Sequence, residues 1–223
     1  MNRCSSNKKL VTAFRLSAFI FITLGILDTA GIFSGTIRWQ VFLTYTFQSN
    51  VLVWLFFAIL IVKTLCGGNP EATEHPFAFY PVISFVISIY IFITMLIFWT
   101  ILAPLSWSDG YLLTFSNFAV HLICPLLMIF DRIMLYPRGL IRKQDPPAIL
   151  IFPLLHVVQS FVIGLNRLVY FAPIKIESYY IYPFLDYDKH GNMVFVYIFG
   201  LALFFLGLGY IWRHLETRII AKK

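Results

Sequence analysis

Six apolar stretches, each near 20 residues long, fill most of this chain, and a few polar side chains are stranded inside them. About 20 consecutive apolar residues is the length at which an α-helix crosses the hydrocarbon core of a bilayer. Hydrophobic residues make up 60% of the 223 and charged residues 12%, roughly half the ~25% charged share of a soluble domain. Such a chain cannot cover its apolar surface with its own polar groups. Lipid is therefore the expected solvent, and backbone in lipid must close its hydrogen bonds inside helices. The stretches fall at about residues 12–33, 41–63, 80–103, 112–134, 147–171 and 193–213. They predict an all-α integral membrane protein, one domain over residues 1–223, built as a single bundle of six transmembrane helices.

The net charge of +7 reflects topology rather than affinity for nucleic acid. Arg3, Lys8, Lys9 and Arg15 cluster at the start of the first stretch and Lys63 closes the second. Arg132, Arg138, Arg142 and Lys143 lie at or beyond the end of the fourth, and Arg213, Arg218, Lys222 and Lys223 at or beyond the end of the sixth. Only Arg38, Arg167, Lys175 and Lys189 fall on the other side. That asymmetry predicts both termini in the cytoplasm. Trp39, Trp107, Tyr111, Tyr136, Tyr170 and Trp212 fall where interfacial aromatic belts are expected. A bacterial plasma membrane fits this arrangement, as does an endoplasmic reticulum membrane. The basic start followed by an apolar run also describes a signal peptide, but the run is long, and Asp28 stands where a cleavage site wants a small neutral residue. The first stretch is accordingly read as a retained helix.

Cys4, Cys66 and Cys124 do not form a disulfide framework, and no closed metal spacing or cofactor motif is visible. The expectation is no metal and no cofactor. Gly67, Gly68, Asn69 and Pro70 mark a turn, and the Tyr- and Phe-rich segment of residues 172–192 is expected on the bilayer surface or folded back over the bundle.

Polar groups at membrane depth need partners and often mark function. In the second stretch, Thr46, Ser49, Asn50 and Val53 follow i, i+3, i+4, i+7 spacing and share one helix face. In the fourth, Asn117, His121 and Pro125 are spaced by four. Pro125 has no N–H, so the His121 carbonyl loses its helical partner and a kink is expected. Counted at 1.5 Å per residue, Asp28, Thr46, Ser49, Asn50 and His121 all lie within about 15 Å of the outer helix ends. If the first, second and fourth helices are neighbours, these residues line one pocket. A neutral imidazole can take the proton of a hydroxyl that attacks an ester carbonyl. The Asn50 amide or Ser49 hydroxyl would then meet the oxyanion, and Asp28 would hold the histidine tautomer. Asp131 and Arg132 lie roughly 15 Å from His121 and are expected to anchor the helix end or to pair with neighbouring groups. His156, Gln159 and Ser160 read as packing contacts of the fifth helix.

The segments YTFQSN (residues 45–50), HLICPLLMIFD (121–131) and YPFLD (182–186), in that order, resemble the androgen-inducible multipass membrane protein family, and most closely its bacterial six-span branch. Characterised animal members hydrolyse fatty acid esters of hydroxy fatty acids inside the membrane with a threonine and a histidine. The resemblance implies Thr46 as nucleophile and His121 as base, with Thr44 as the register alternative, acting on a membrane lipid or fatty ester. Ser49 stands where the animal proteins carry an acidic residue, and the proline after the histidine is displaced by one. Two other readings are open: a non-catalytic lipid or solute carrier or complex subunit, and an intramembrane metalloenzyme using His121, His156 and Asp131.

Overall fold

The computed structural model describes residues 8–66, 79–105, 114–136, 139–171 and 177–221. Arg3, Cys4, the turn at residues 67–70, Trp107, Tyr111, Arg138, Lys175, Lys222 and Lys223 lie outside them. The described residues are mostly helical, and their only extended pairing is the isolated bridge between Phe171 and Ser178. Six helices among them are long and apolar enough to cross a membrane. They are α1 (Lys8–Thr29), α2 (Tyr45–Leu65), α3 (Phe79–Ile97), α4 (Phe115–Leu135), α5 (Pro146–Leu165) and α6 (Met193–Ala221). A π turn at Phe98–Leu102 extends α3, and a second, at Ala119–Ile123, interrupts α4.

Helix boundaries depart from the hydropathy reading for local reasons. The stretch from residue 41 does not start α2, because Trp39–Leu43 forms a 3₁₀ turn. Thr44 then caps the helix, its Oγ1 accepting the Phe47 N–H at 3.3 Å. α5 stops at Leu165 rather than 171. Asn166 leaves helical geometry, and Arg167 takes φ of +51°.

The chain divides into two compact units, Met1–Ile141 and Arg142–Lys223. In the first, α1 packs on α2, α2 on α3, α3 on α4, and α4 returns to α1. That is an up-and-down four-helix ring. Ile22, Val53, Phe56, Phe57, Ile91, Cys124 and Met128 fill its centre, while Leu16, Ile20, Leu55, Ile59, Leu126 and Phe130 point outward. An apolar exterior over a core holding polar groups suits lipid rather than water. α1 meets α4 at Gly25, where an added Cβ would stand 2.7 Å from Ala119 Cβ. Gly25→Val is therefore expected to push the two helices apart and cost about 1–3 kcal/mol, read as a lower melting temperature in detergent.

The charged groups of this unit correct two sequence expectations. Arg15 is not a flanking charge. It lies within α1, 1% exposed, and its guanidinium donates to the Asp131 carboxylate of α4 at 2.8 and 3.4 Å. Arg132 is buried as well, donating to the Pro81 carbonyl at 2.8 Å and lying over the Tyr136 ring. Tyr136 is 4% exposed, a core residue rather than a member of an interfacial belt.

In the second unit, α5 and α6 carry the segment between them folded back on α5. The Ile181 N–H donates to Ser160 Oγ at 3.3 Å, and the Tyr182 ring stands 5.7 Å from that of His156. Ser178 donates to Asp186 at 2.8 Å, and Asp186 caps the one-turn helix Tyr187–His190. Ser160 and His156 thus both meet this segment. Tyr180 lies directly on Gly164, leaving no room for a Cβ there. Gly164→Ala is expected to lift residues 178–186 off α5, seen as faster limited proteolysis in that segment.

Candidate functional site

The polar residues singled out in α2 and α4 gather inside the first unit. Two features of α4 organise them. Pro125 offers no N–H, so the carbonyls four and five residues back, those of His121 and Val120, lack the partner that α or π closure would give them. Both receive a donor from a neighbouring helix. The Asn50 amide donates to Val120 O at 3.1 Å, and the Trp99 indole donates to His121 O at 3.0 Å. Proline in a spanning helix is tolerated when neighbours satisfy the freed backbone in this way.

Asn50 is fully buried and ties α2 to α4. Its amide nitrogen also donates to Thr46 O, at 2.8 Å. Both partners are carbonyl oxygens, which fixes the amide's orientation and uses both of its protons. The atom left over is Oδ1, a buried acceptor without a partner. Asn50 therefore cannot supply the oxyanion donor its position in the sequence suggested. Ser49 is engaged too. Its hydroxyl lies 3.0 Å from Thr46 O and 3.0 Å from the Thr94 hydroxyl, which lies 3.1 Å from Tyr90 O. Whichever hydroxyl donates across the pair, the other proton goes to a backbone carbonyl.

His121 is 6% exposed. Its Nδ1 lies 3.1 Å from Asn117 O. A carbonyl only accepts, so Nδ1 carries the proton and Nε2 keeps its lone pair. That is the tautomer a base requires, and Asn117 holds it with its backbone rather than its side chain. The Asp28 carboxylate, half-buried at the end of α1, makes no hydrogen bond among the described residues. The Phe98 ring covers one face of the imidazole, with centroids 3.6 Å apart and planes 14° from parallel.

Thr44 and Thr46 are separated by their surroundings. Thr44 Oγ1 donates to Val41 O at 2.8 Å while accepting the Phe47 N–H, so it is occupied as the cap. Thr46, half-buried in the first turn of α2, has a hydroxyl engaged by no partner among the described residues. The backbone of its turn is joined to that of Val120, beside His121, through the single Asn50 amide. The Thr46 hydroxyl and His121 Nε2 do not hydrogen-bond to each other in this structure.

Three contributors were not singled out from the sequence: Thr94, Phe98 and Trp99, all on α3. The carbonyl freed by Pro125 signalled that a donor was needed, but not which helix would bring it. Among the described residues, no three His, Cys, Asp or Glu side chains gather into a metal-binding group, and Asp131 is engaged by Arg15. No protein-family model, curated protein or solved structure matches the chain.

Proposed function

We propose that the chain is a multi-pass membrane enzyme, with both termini on the cytoplasmic side, that cleaves a long-chain fatty ester using Thr46 as nucleophile and His121 as general base. One observation carries the reading. Thr46 has a hydroxyl without a partner among the described residues, its backbone carbonyl shares the Asn50 amide with that of Val120, the neighbour of His121, and His121 holds its proton on Nδ1 and keeps the Nε2 lone pair. In the reaction, Thr46 Oγ attacks the ester carbonyl as its proton passes to Nε2. The tetrahedral adduct collapses to an acyl-threonine, and His121 returns the proton to the departing alcohol. Water then attacks the acyl group, with His121 taking and restoring a proton, and the fatty acid leaves. With Asn50 and Ser49 engaged, the oxyanion falls to the Thr46 N–H and the positive end of α2, whose first-turn amides lack helical partners. The bilayer supplies the substrate, which enters between helices.

The test uses purified protein in detergent with a long-chain chromogenic ester and a fluorophosphonate probe. Turnover and labelling are expected in the wild type, with both lost in Thr46→Ala and His121→Ala. An unlabelled, inactive wild type removes the enzyme reading. A non-catalytic membrane protein is the second reading. It is favoured by the engagement of Asn50, Ser49 and Trp99 with the backbone of their own or neighbouring helices, the pattern of interhelical fastening.

A further inference from the structure

We infer that Phe98 and Trp99, consecutive residues on the π turn of α3, are positioning residues that together lock the backbone and the ring of His121. For its kinetic arm this rests on the hydrolase reading above; its structural arm does not. The two π turns face each other. In each, the N–H five residues on closes to the first carbonyl, Ala103 to Phe98 in α3 and Cys124 to Ala119 in α4. The wider closure turns successive side chains through a smaller angle than the 100° of an α-helix. That brings Phe98 and Trp99 toward the same neighbour. Trp99 holds the His121 carbonyl at 3.0 Å, and Phe98 stacks on the imidazole at 3.6 Å. The rings of Phe98 and Trp99 also meet edge to face, with centroids 5.3 Å apart. The third restraint is Asn117 O on Nδ1. Backbone, ring face and one ring nitrogen are then fixed, and the Nε2 edge is the part of the imidazole left for chemistry. Single-turn π bulges in helices often mark functional sites, and here two of them meet at one histidine.

The test compares Phe98→Leu, Phe98→Tyr and Trp99→Phe with the wild type by NMR of protein labelled at the histidine ring. The wild type should show one protonated and one unprotonated ring nitrogen for His121, with ring protons shifted upfield by the Phe98 face. Phe98→Leu, close in volume but not aromatic, should lose the upfield shift and mix the tautomers. Phe98→Tyr should keep both signatures, and Trp99→Phe should mix the tautomers while retaining the stack. If the enzyme reading holds, Phe98→Leu and Trp99→Phe lower kcat by about 10–100-fold with KM little changed, as expected when a reacting group is misplaced by an ångström. His121 signals unchanged in both variants overturn the positioning role, whatever the activity. Altered signals in a protein without ester turnover sustain the positioning role and remove the hydrolase instead. Should Phe98→Leu fail to fold, Phe98→Met, also without an aromatic face, takes its place beside Trp99→Phe.

Discussion

On the proposed hydrolase reading, Thr46→Ala is expected to reduce ester turnover to the uncatalysed background and abolish probe labelling, while Thr46→Ser is expected to keep part of both. His121→Ala is expected to lower kcat by about 10²–10⁴-fold, the usual contribution of a general base. Thr44→Ala separates the two threonines. It removes the cap of α2 at an expected cost of about 1 kcal/mol of stability, yet leaves the Thr46 hydroxyl in place, so turnover is expected to persist. The contrast follows from hydrogen-bond accounting. Thr44 gives its proton to Val41 O and its lone pair to Phe47 N–H, and Ser49 and Thr94 give theirs to backbone carbonyls or to each other. Steady-state kinetics on the three purified variants, with circular dichroism to verify helix content, is the measurement. Loss of activity in Thr44→Ala with retention in Thr46→Ala would reverse the assignment.

Asp131→Ala is expected to be the most damaging single change outside the site. It strands the Arg15 guanidinium, 1% exposed, without the carboxylate it meets at 2.8 Å. Breaking one side of a buried ion pair costs about 3–5 kcal/mol. Replacing both partners at once, as Arg15→Met with Asp131→Leu, should recover most of that loss, because apolar residues of similar volume carry no desolvation penalty. Thermal unfolding in detergent of the two single variants and the double variant measures the coupling. A double variant no more stable than the singles would show that the pair does more than neutralise itself.

How far the sequence reaches is clear from particular residues. The Thr46, Ser49, Asn50 spacing placed three polar groups on one face of α2, because helical periodicity is a local property. Pro125 foretold a freed carbonyl at His121, because a missing N–H is written in the covalent structure. Neither told that Asn50 would use both amide protons on carbonyls and so have none left to donate elsewhere. That depends on α4 presenting Val120 O within 3.1 Å. Arg15 read as a flanking charge because hydropathy windows see charge and not partners. Its burial became legible only with Asp131, 116 residues away, beside it. Tyr136 was misread for the same reason: a window sees an aromatic near a helix end and not the Arg132 guanidinium over its ring.

By itself, then, the chain's order of residues determined six long apolar helices, the face on which each polar group stands, and the carbonyls that proline would free. These are consequences of composition, of a 3.6-residue repeat and of backbone chemistry, which act over a turn or two. Only the tertiary structure decided which donors meet those carbonyls, which hydroxyl keeps its proton, and which buried cation finds its carboxylate. A hydrogen bond is made or missed within a few tenths of an ångström, and that margin is set by how whole helices pack.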